Sequence, residues 1–331
     1  MSSVPEPSTP KPERFQAVEY LRVMRPDHWL KNVFILFGHM VAIGLLPGLA
    51  SFSAAPRLAM LMTLSLIPAC LIASANYILN EILDAPFDRT HPTKKYRAVP
   101  AGLVSIPLLW VLMGALIVLG FALALALFNI SYTLSLLLLL LSGVVYNVPP
   151  LRLKDRAFLD VIAESFNNPI RLWLGWYALA PATSFPPLSI LLSWWFFGAL
   201  LMAGKRYSEF RFIGDADRSA RYRKSFAVYT EQSLIISMIT HANLFCFTMG
   251  VAITTYRPNL LFVFPIVAAA VCVYFNRAMT TEAARLEPEE LLKNPWIIGA
   301  TIVTVLIGSW LAWLPIDLPK LFGLLRLIPG E

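Results

Sequence analysis

Long apolar runs constrain this chain more than any other feature. Nine stretches are long and apolar enough to cross a bilayer, at roughly 32–52, 57–79, 104–127, 132–147, 157–179, 188–204, 233–254, 259–276 and 296–315. The first is weakened by Gly38, His39, Gly44 and Pro47, and the fifth carries charges. Composition agrees, with 57% of residues hydrophobic and 14% charged, against about a quarter charged in a soluble domain. The expected fold class is therefore an all-α integral membrane protein, a bundle of nine transmembrane helices. The three cysteines, Cys70, Cys246 and Cys272, each sit in an apolar run, which excludes a disulfide scaffold. Residues 1–19 are rich in Pro, Ser and Glu, lack an apolar signal core and read as a disordered tail, leaving 20–331 as one transmembrane domain.

A net charge of +7 could suggest nucleic acid, but on a multi-pass chain basic residues mark the cytoplasmic side. With the N-terminus inside, 22 of the 27 Lys and Arg fall in inside segments. Four (Arg57, Arg257, Lys320, Arg326) fall outside, and Arg171 lies within a span. The asymmetry predicts a cytoplasmic N-terminus, the lipid bilayer as partner, and no nucleic acid.

Two acidic groups fall at the cytoplasmic ends of spans 2 and 5. Asn76, Asn80, Asp84 and Asp88 recur every four residues, with Glu81 three before Asp84, which puts the carboxylates along one helical stripe. Pro86 predicts a kink or an end near Ala85. In span 5, Asp160, Glu164, Asn167, Asn168 and Arg171 continue one face for about three turns. Like charges at such spacing repel unless a cation sits among them, and oxygen-only ligands suit Mg²⁺. The plain alternatives are a solvated acidic helix end for the first group and a structural Glu164–Arg171 or Glu164–Asn168 pair for the second. Basic and hydrogen-bonding residues surround both groups. They are Arg25 to Asn32 with Lys31, His91 to Arg97 with Lys94, Tyr146 to Lys154 with Arg152, and Gly204 to Glu209 with Lys205 and Arg206. Arg211 to Lys224 reads as ordinary positive-inside charge. Cations beside acidic metal sites are the usual partners of a metal-bound diphosphate, and an apolar bundle below implies a lipid tail.

These motifs resemble the UbiA superfamily of intramembrane prenyltransferases. Asn80-Glu81-x-x-Asp84-x-x-x-Asp88 is similar to its first acidic motif, Asp160-x-x-x-Glu164 to its second, and Tyr146 to Lys154 to the run preceding the second. The resemblance implies nine helices with the active-site cavity at the cytoplasmic side of a bacterial-type plasma membrane. It implies Mg²⁺ held by Asn80, Glu81, Asp84, Asp88, Asp160 and Glu164, with Asp84, Asp88 and Asp160 central to catalysis. Phosphate would meet Lys31, Lys94, Arg97, Tyr146, Arg152, Lys154, Arg171, Lys205 and Arg206. Glu81 and Glu164 stand where the family has the shorter Asp. Three further runs, Asp88 to Lys94, Gly204 to Glu209 and Glu287 to Leu292, resemble the polyprenyl-phosphate phosphoribosyltransferase branch. That branch moves 5-phosphoribose from phosphoribosyl pyrophosphate to a polyprenyl phosphate. Arg97-Ala-Val-Pro departs from the branch, and Pro149-Pro150 is closer to enzymes that move a prenyl group from its diphosphate to an aromatic acceptor. An ion-coupled transporter is the reading from another class, since intramembrane carboxylates beside an Arg also build ion sites.

Overall fold

The computed structural model describes residues 17–49, 55–89, 94–214 and 223–280, with 299, 302–303 and 306–308 beyond them. Every element among the described residues is helical. In chain order they are α1 (Ala17–Met24), a 3-10 segment (Pro26–Phe34), α2 (Ile35–Leu45), α3 (Ala55–Asp88), α4 (Ile106–Leu127) and α5 (Ile130–Asn147). There follow α6 (Leu159–Ser165), α7 (Asn167–Leu179), α8 (Leu188–Ile213), α9 (Glu231–Tyr256) and α10 (Phe264–Thr280). Seven stretches among the described residues are long and apolar enough to cross a membrane. The ninth expected span, 296–315, lies outside them apart from residues 299, 302–303 and 306–308, which are helical.

Three expectations change at the level of local structure. The helix of α1 starts at Ala17, inside the segment read as tail, and buries Glu19 against Arg22 at 2.6 Å. Pro86 does not end α3, which runs on to Asp88, with Arg89 N donating to Ala85 O at 3.1 Å. A proline costs a helix its own N–H bond, and near the C-terminus few bonds follow to be lost. The fifth expected span is two shorter helices, α6 and α7, which meet at Phe166, and it is not among the seven; Glu164, Asn167, Asn168 and Arg171 still line one cavity.

Caps and close contacts set the bundle. Asn129 accepts from Tyr132 N at the start of α5 and donates to Tyr177 O and Ala180 O, tying that start to the end of α7. Thr230 and Ser233 form a reciprocal cap at the start of α9. A close crossing joins α2 to α7. A Cβ on Gly38 would stand 2.2 Å from Leu172 O, and one on Gly175 would stand 2.0 Å from Ile35 O. Small residues let membrane helices approach this closely, and here the approach brings the residues before α2 against Arg171. Gly38, which weakened the first span as an apolar run, is thus its packing contact. His39 beside it is buried, its Nε2 3.1 Å from Ser65 Oγ.

Candidate active site

The polar ends of α3, α5, α6 and α8 converge with the loops that join them. Asp84 on α3 is met by two cations from the segment after α5: Lys154 Nζ at 2.5 Å and Arg152 Nη2 at 2.9 Å, both on Oδ1. The left-handed backbone of Arg152 (φ 32°) turns the chain so that both reach back to α3. Asn147, the last residue of α5, receives Asn80 Nδ2 and Lys154 Nζ on its Oδ1. Asp155 anchors Arg152 from the other side at 2.9 Å. Burial holds the Lys154 ammonium down to about 8, with Asp84 pulling it back up. One turn further, Asp88 binds Arg97 at 2.8 Å.

Glu81 leaves this stripe. It is 3% exposed and accepts the backbone N–H of Val99 at 3.2 Å, so it orders the loop after α3 instead of facing the other carboxylates.

The second acidic pair is organised around Arg206 of α8. Its Nε binds Asp160 at 2.9 Å, its Nη2 binds Glu164 at 2.7 Å and its Nη1 binds Glu209 at 3.1 Å. With 1% exposure and all three nitrogens on carboxylates, Arg206 holds acids together, and the expectation that it meets substrate phosphate does not match its placement. Asp160 is 0% exposed and also receives Tyr229 OH at 2.6 Å, Ser225 Oγ at 3.3 Å and Arg223 Nε at 3.4 Å. It is saturated by protein donors and fastens residues 223–230 onto α6. Glu164 is more open and accepts Tyr146 OH at 2.9 Å.

Arg223 was read from sequence as ordinary surface charge, yet it reaches Tyr146 OH at 2.9 Å as well as Asp160. No spacing ties it to either motif; only the fold brings residue 223 to residue 146. Arg171 does not pair with Glu164: its Nε binds Asn32 Oδ1 at 3.0 Å. His91 lies outside the described residues.

Between these groups lies a cavity of about 240 Å³ whose walls include Lys31, Asn80, Tyr146, Glu164, Arg171 and Lys205. Asp84, Asp88 and Asp160 stand behind it. Trp194, Phe197 and Leu201 line both this cavity and an apolar groove of about 930 Å³ between α2, α8, α9 and α10.

A polytopic helical bundle with acid–base clusters around a cavity, beside an apolar groove, is the architecture of a helical membrane enzyme. A family model for the UbiA prenyltransferase family matches residues 33–298, and the chain belongs to that family. It is 32% identical over 244 residues to the decaprenyl-phosphate phosphoribosyltransferase of Mycolicibacterium smegmatis, covering 71% of this chain and 69% of that protein. It is 32% identical over 225 residues to the protein of the same name from Mycobacterium tuberculosis, 65% of this chain and 67% of the other. The fold matches a UbiA homologue from Archaeoglobus fulgidus solved with DMAPP and Mg²⁺, with a TM-score of 0.63 and 19% identity over 88% of this chain and 97% of that one.

Proposed function

We propose that the protein transfers 5-phosphoribose from phosphoribosyl pyrophosphate to a polyprenyl phosphate, expelling pyrophosphate, with Mg²⁺ as cofactor and the site facing the cytoplasm. The observation that carries this reading is a cation-lined polar cavity sharing a wall with an apolar groove, in a chain a third identical to phosphoribosyltransferases of a lipid phosphate.

The donor chemistry fits Mg²⁺. Asp84, Glu164 and Asn80 supply hard oxygen ligands, and Glu164 and Asn80 line the cavity. No three acidic, His or Cys side chains among the described residues converge into a cage. Mg²⁺ keeps several waters and takes other ligands from substrate phosphates. Asp84, Glu164 and Asn80 would hold it, with Asp88 beside them, and when bound it would offset the charge of the departing pyrophosphate.

The chain's own residues do the remaining work. Arg152, Lys154 and Arg97, already aligned by Asp84 and Asp88, present positive charge where the leaving group gathers negative charge. The C1–O bond to pyrophosphate breaks with its electron pair going to the leaving group, and the lipid phosphate oxygen forms the new bond to C1. That oxygen is anionic at neutral pH, so no general base is required. Tyr146 and Arg223 fix the Glu164 side of the cavity.

The test offers purified protein and Mg²⁺ two mixtures: polyprenyl phosphate with radiolabelled phosphoribosyl pyrophosphate, and a prenyl diphosphate with labelled 4-hydroxybenzoate. Label entering lipid in the first mixture is expected. Label entering lipid only in the second would replace this reading with prenyl transfer to an aromatic acceptor.

A further inference from the structure

Arg171 is the outlier among the cations of the site. It sits on α7, in the segment that the sequence reads as the fifth span, and is 8% exposed. A guanidinium so placed is costly unless its donors are used. Its Nε is taken by Asn32, yet its two terminal nitrogens have no protein partner among the described residues. Arg97, Arg152, Lys154 and Arg206 all sit on carboxylates, whereas Arg171 has no carboxylate partner among the described residues. It lines the polar cavity, and Trp194, Phe197 and Leu201 of that same cavity also line the apolar groove.

Asn32 holds this arginine in one orientation. Its Oδ1 accepts Arg171 Nε while its Nδ2 donates to Cys70 Sγ at 3.2 Å, so the amide is fixed from both ends and buried. The Gly38–Gly175 crossing keeps the two segments close enough for that bond. With Nε engaged, the paired terminal nitrogens form the planar fork that grips a phosphate through two oxygens.

We propose that Arg171, set by Asn32, seats the monophosphate of the polyprenyl acceptor at the junction of cavity and groove, while Arg152 and Lys154 serve the phosphoribosyl donor. The inference rests on the phosphoribosyl-transfer reading and divides its two anions between two sets of cations. The lipid chain then occupies the apolar groove. The charge of the acceptor is met inside the membrane level by an arginine that no acid neutralises. The donor, carrying more charge, meets the cations that already stand beside the acidic ligands. Asn32 acts through Arg171 and is a positioning residue.

Binding to the full chain in detergent tests this with three probes: farnesyl phosphate, farnesol, and phosphoribosyl pyrophosphate with Mg²⁺. Arg171→Met is expected to weaken farnesyl phosphate about tenfold or more and to leave farnesol and phosphoribosyl pyrophosphate within about twofold. Lys154→Met is expected to do the reverse. Asn32→Leu is expected to weaken farnesyl phosphate about threefold in the wild type and not at all on top of Arg171→Met, which a general loss of structure would not produce. Arg171→Lys keeps the charge without the fork and covers the case in which Arg171→Met fails to fold; a loss of about threefold for farnesyl phosphate alone is expected. Equal weakening of donor and lipid phosphate, or weakening of the donor alone, overturns the assignment. Wild-type protein that binds farnesyl phosphate through Arg171 but ignores phosphoribosyl pyrophosphate would leave the lipid seat standing and remove the phosphoribosyl reading. Donor binding with farnesyl phosphate indifferent to Arg171 would do the opposite.

Discussion

The acidic ends of α3 and α6 carry similar motifs and are built differently. On α3, Asp84 is partly open and its two cations, Arg152 and Lys154, come from one neighbouring segment. On α6, Asp160 is fully enclosed by Arg206, Tyr229, Ser225 and Arg223. A partly open carboxylate can take a new ligand, whereas one saturated inside the protein mainly fixes its neighbours. We therefore propose that Asp84 takes part in the chemistry and that Asp160 belongs to the scaffold that aligns Glu164 and residues 223–230. This divides two residues that sequence spacing treats alike.

Substitutions can break this comparison. The largest expected effect is on turnover: Asp84→Asn should lower kcat by about 100-fold or more, since an amide supplies neither the charge nor the ligand strength of a carboxylate. Its thermal midpoint should move little, and an active Asp84→Asn enzyme would end the assignment. Asp160→Asn should act chiefly on stability, by about 2–3 kcal/mol, because Arg206 and Arg223 then lose part of their compensation in a buried setting. Thermal unfolding in detergent measures it, and a stable but inactive variant would return Asp160 to the reacting groups. Gly175→Ala, at the α2–α7 crossing, should cost about 1–3 kcal/mol through overpacking and should weaken the Arg171–Asn32 contact. Unfolding again reports it, and no change would mean that the two helices can separate freely. The smallest effect expected is for Tyr146→Phe, about threefold in kcat/KM, as Glu164 loses one hydrogen bond but keeps Arg206. A loss near that of Asp84→Asn would place the tyrosine hydroxyl in the reaction itself.

The sequence exposed the membrane class and the residues that cluster around Asp84 because both depend on local spacing. Seven spans, the α3 stripe of Asn80, Asp84 and Asp88, and the Arg152–Lys154 run could all be read along single segments. What escaped depended on contacts between segments. Glu81 is one residue from Asn80, yet it turns to a loop amide that only the fold brings near. Arg223 and the buried cap by Tyr229 come from a loop whose charge looked generic. Asn32 stood beside Lys31 in a run read for anion binding, and its bond to Arg171 spans 139 positions in sequence.

The central claim, that this site expels pyrophosphate while joining phosphoribose to a lipid phosphate, is most directly tested by position-specific labelling. Phosphoribosyl pyrophosphate carrying ³²P either at the 5-phosphate or in the diphosphate would be incubated with the protein, Mg²⁺ and a polyprenyl phosphate, and lipid separated from water. The account predicts that the 5-phosphate label moves into the lipid and the diphosphate label is released as aqueous pyrophosphate. Diphosphate label in the lipid, or no label there from either position, would contradict it.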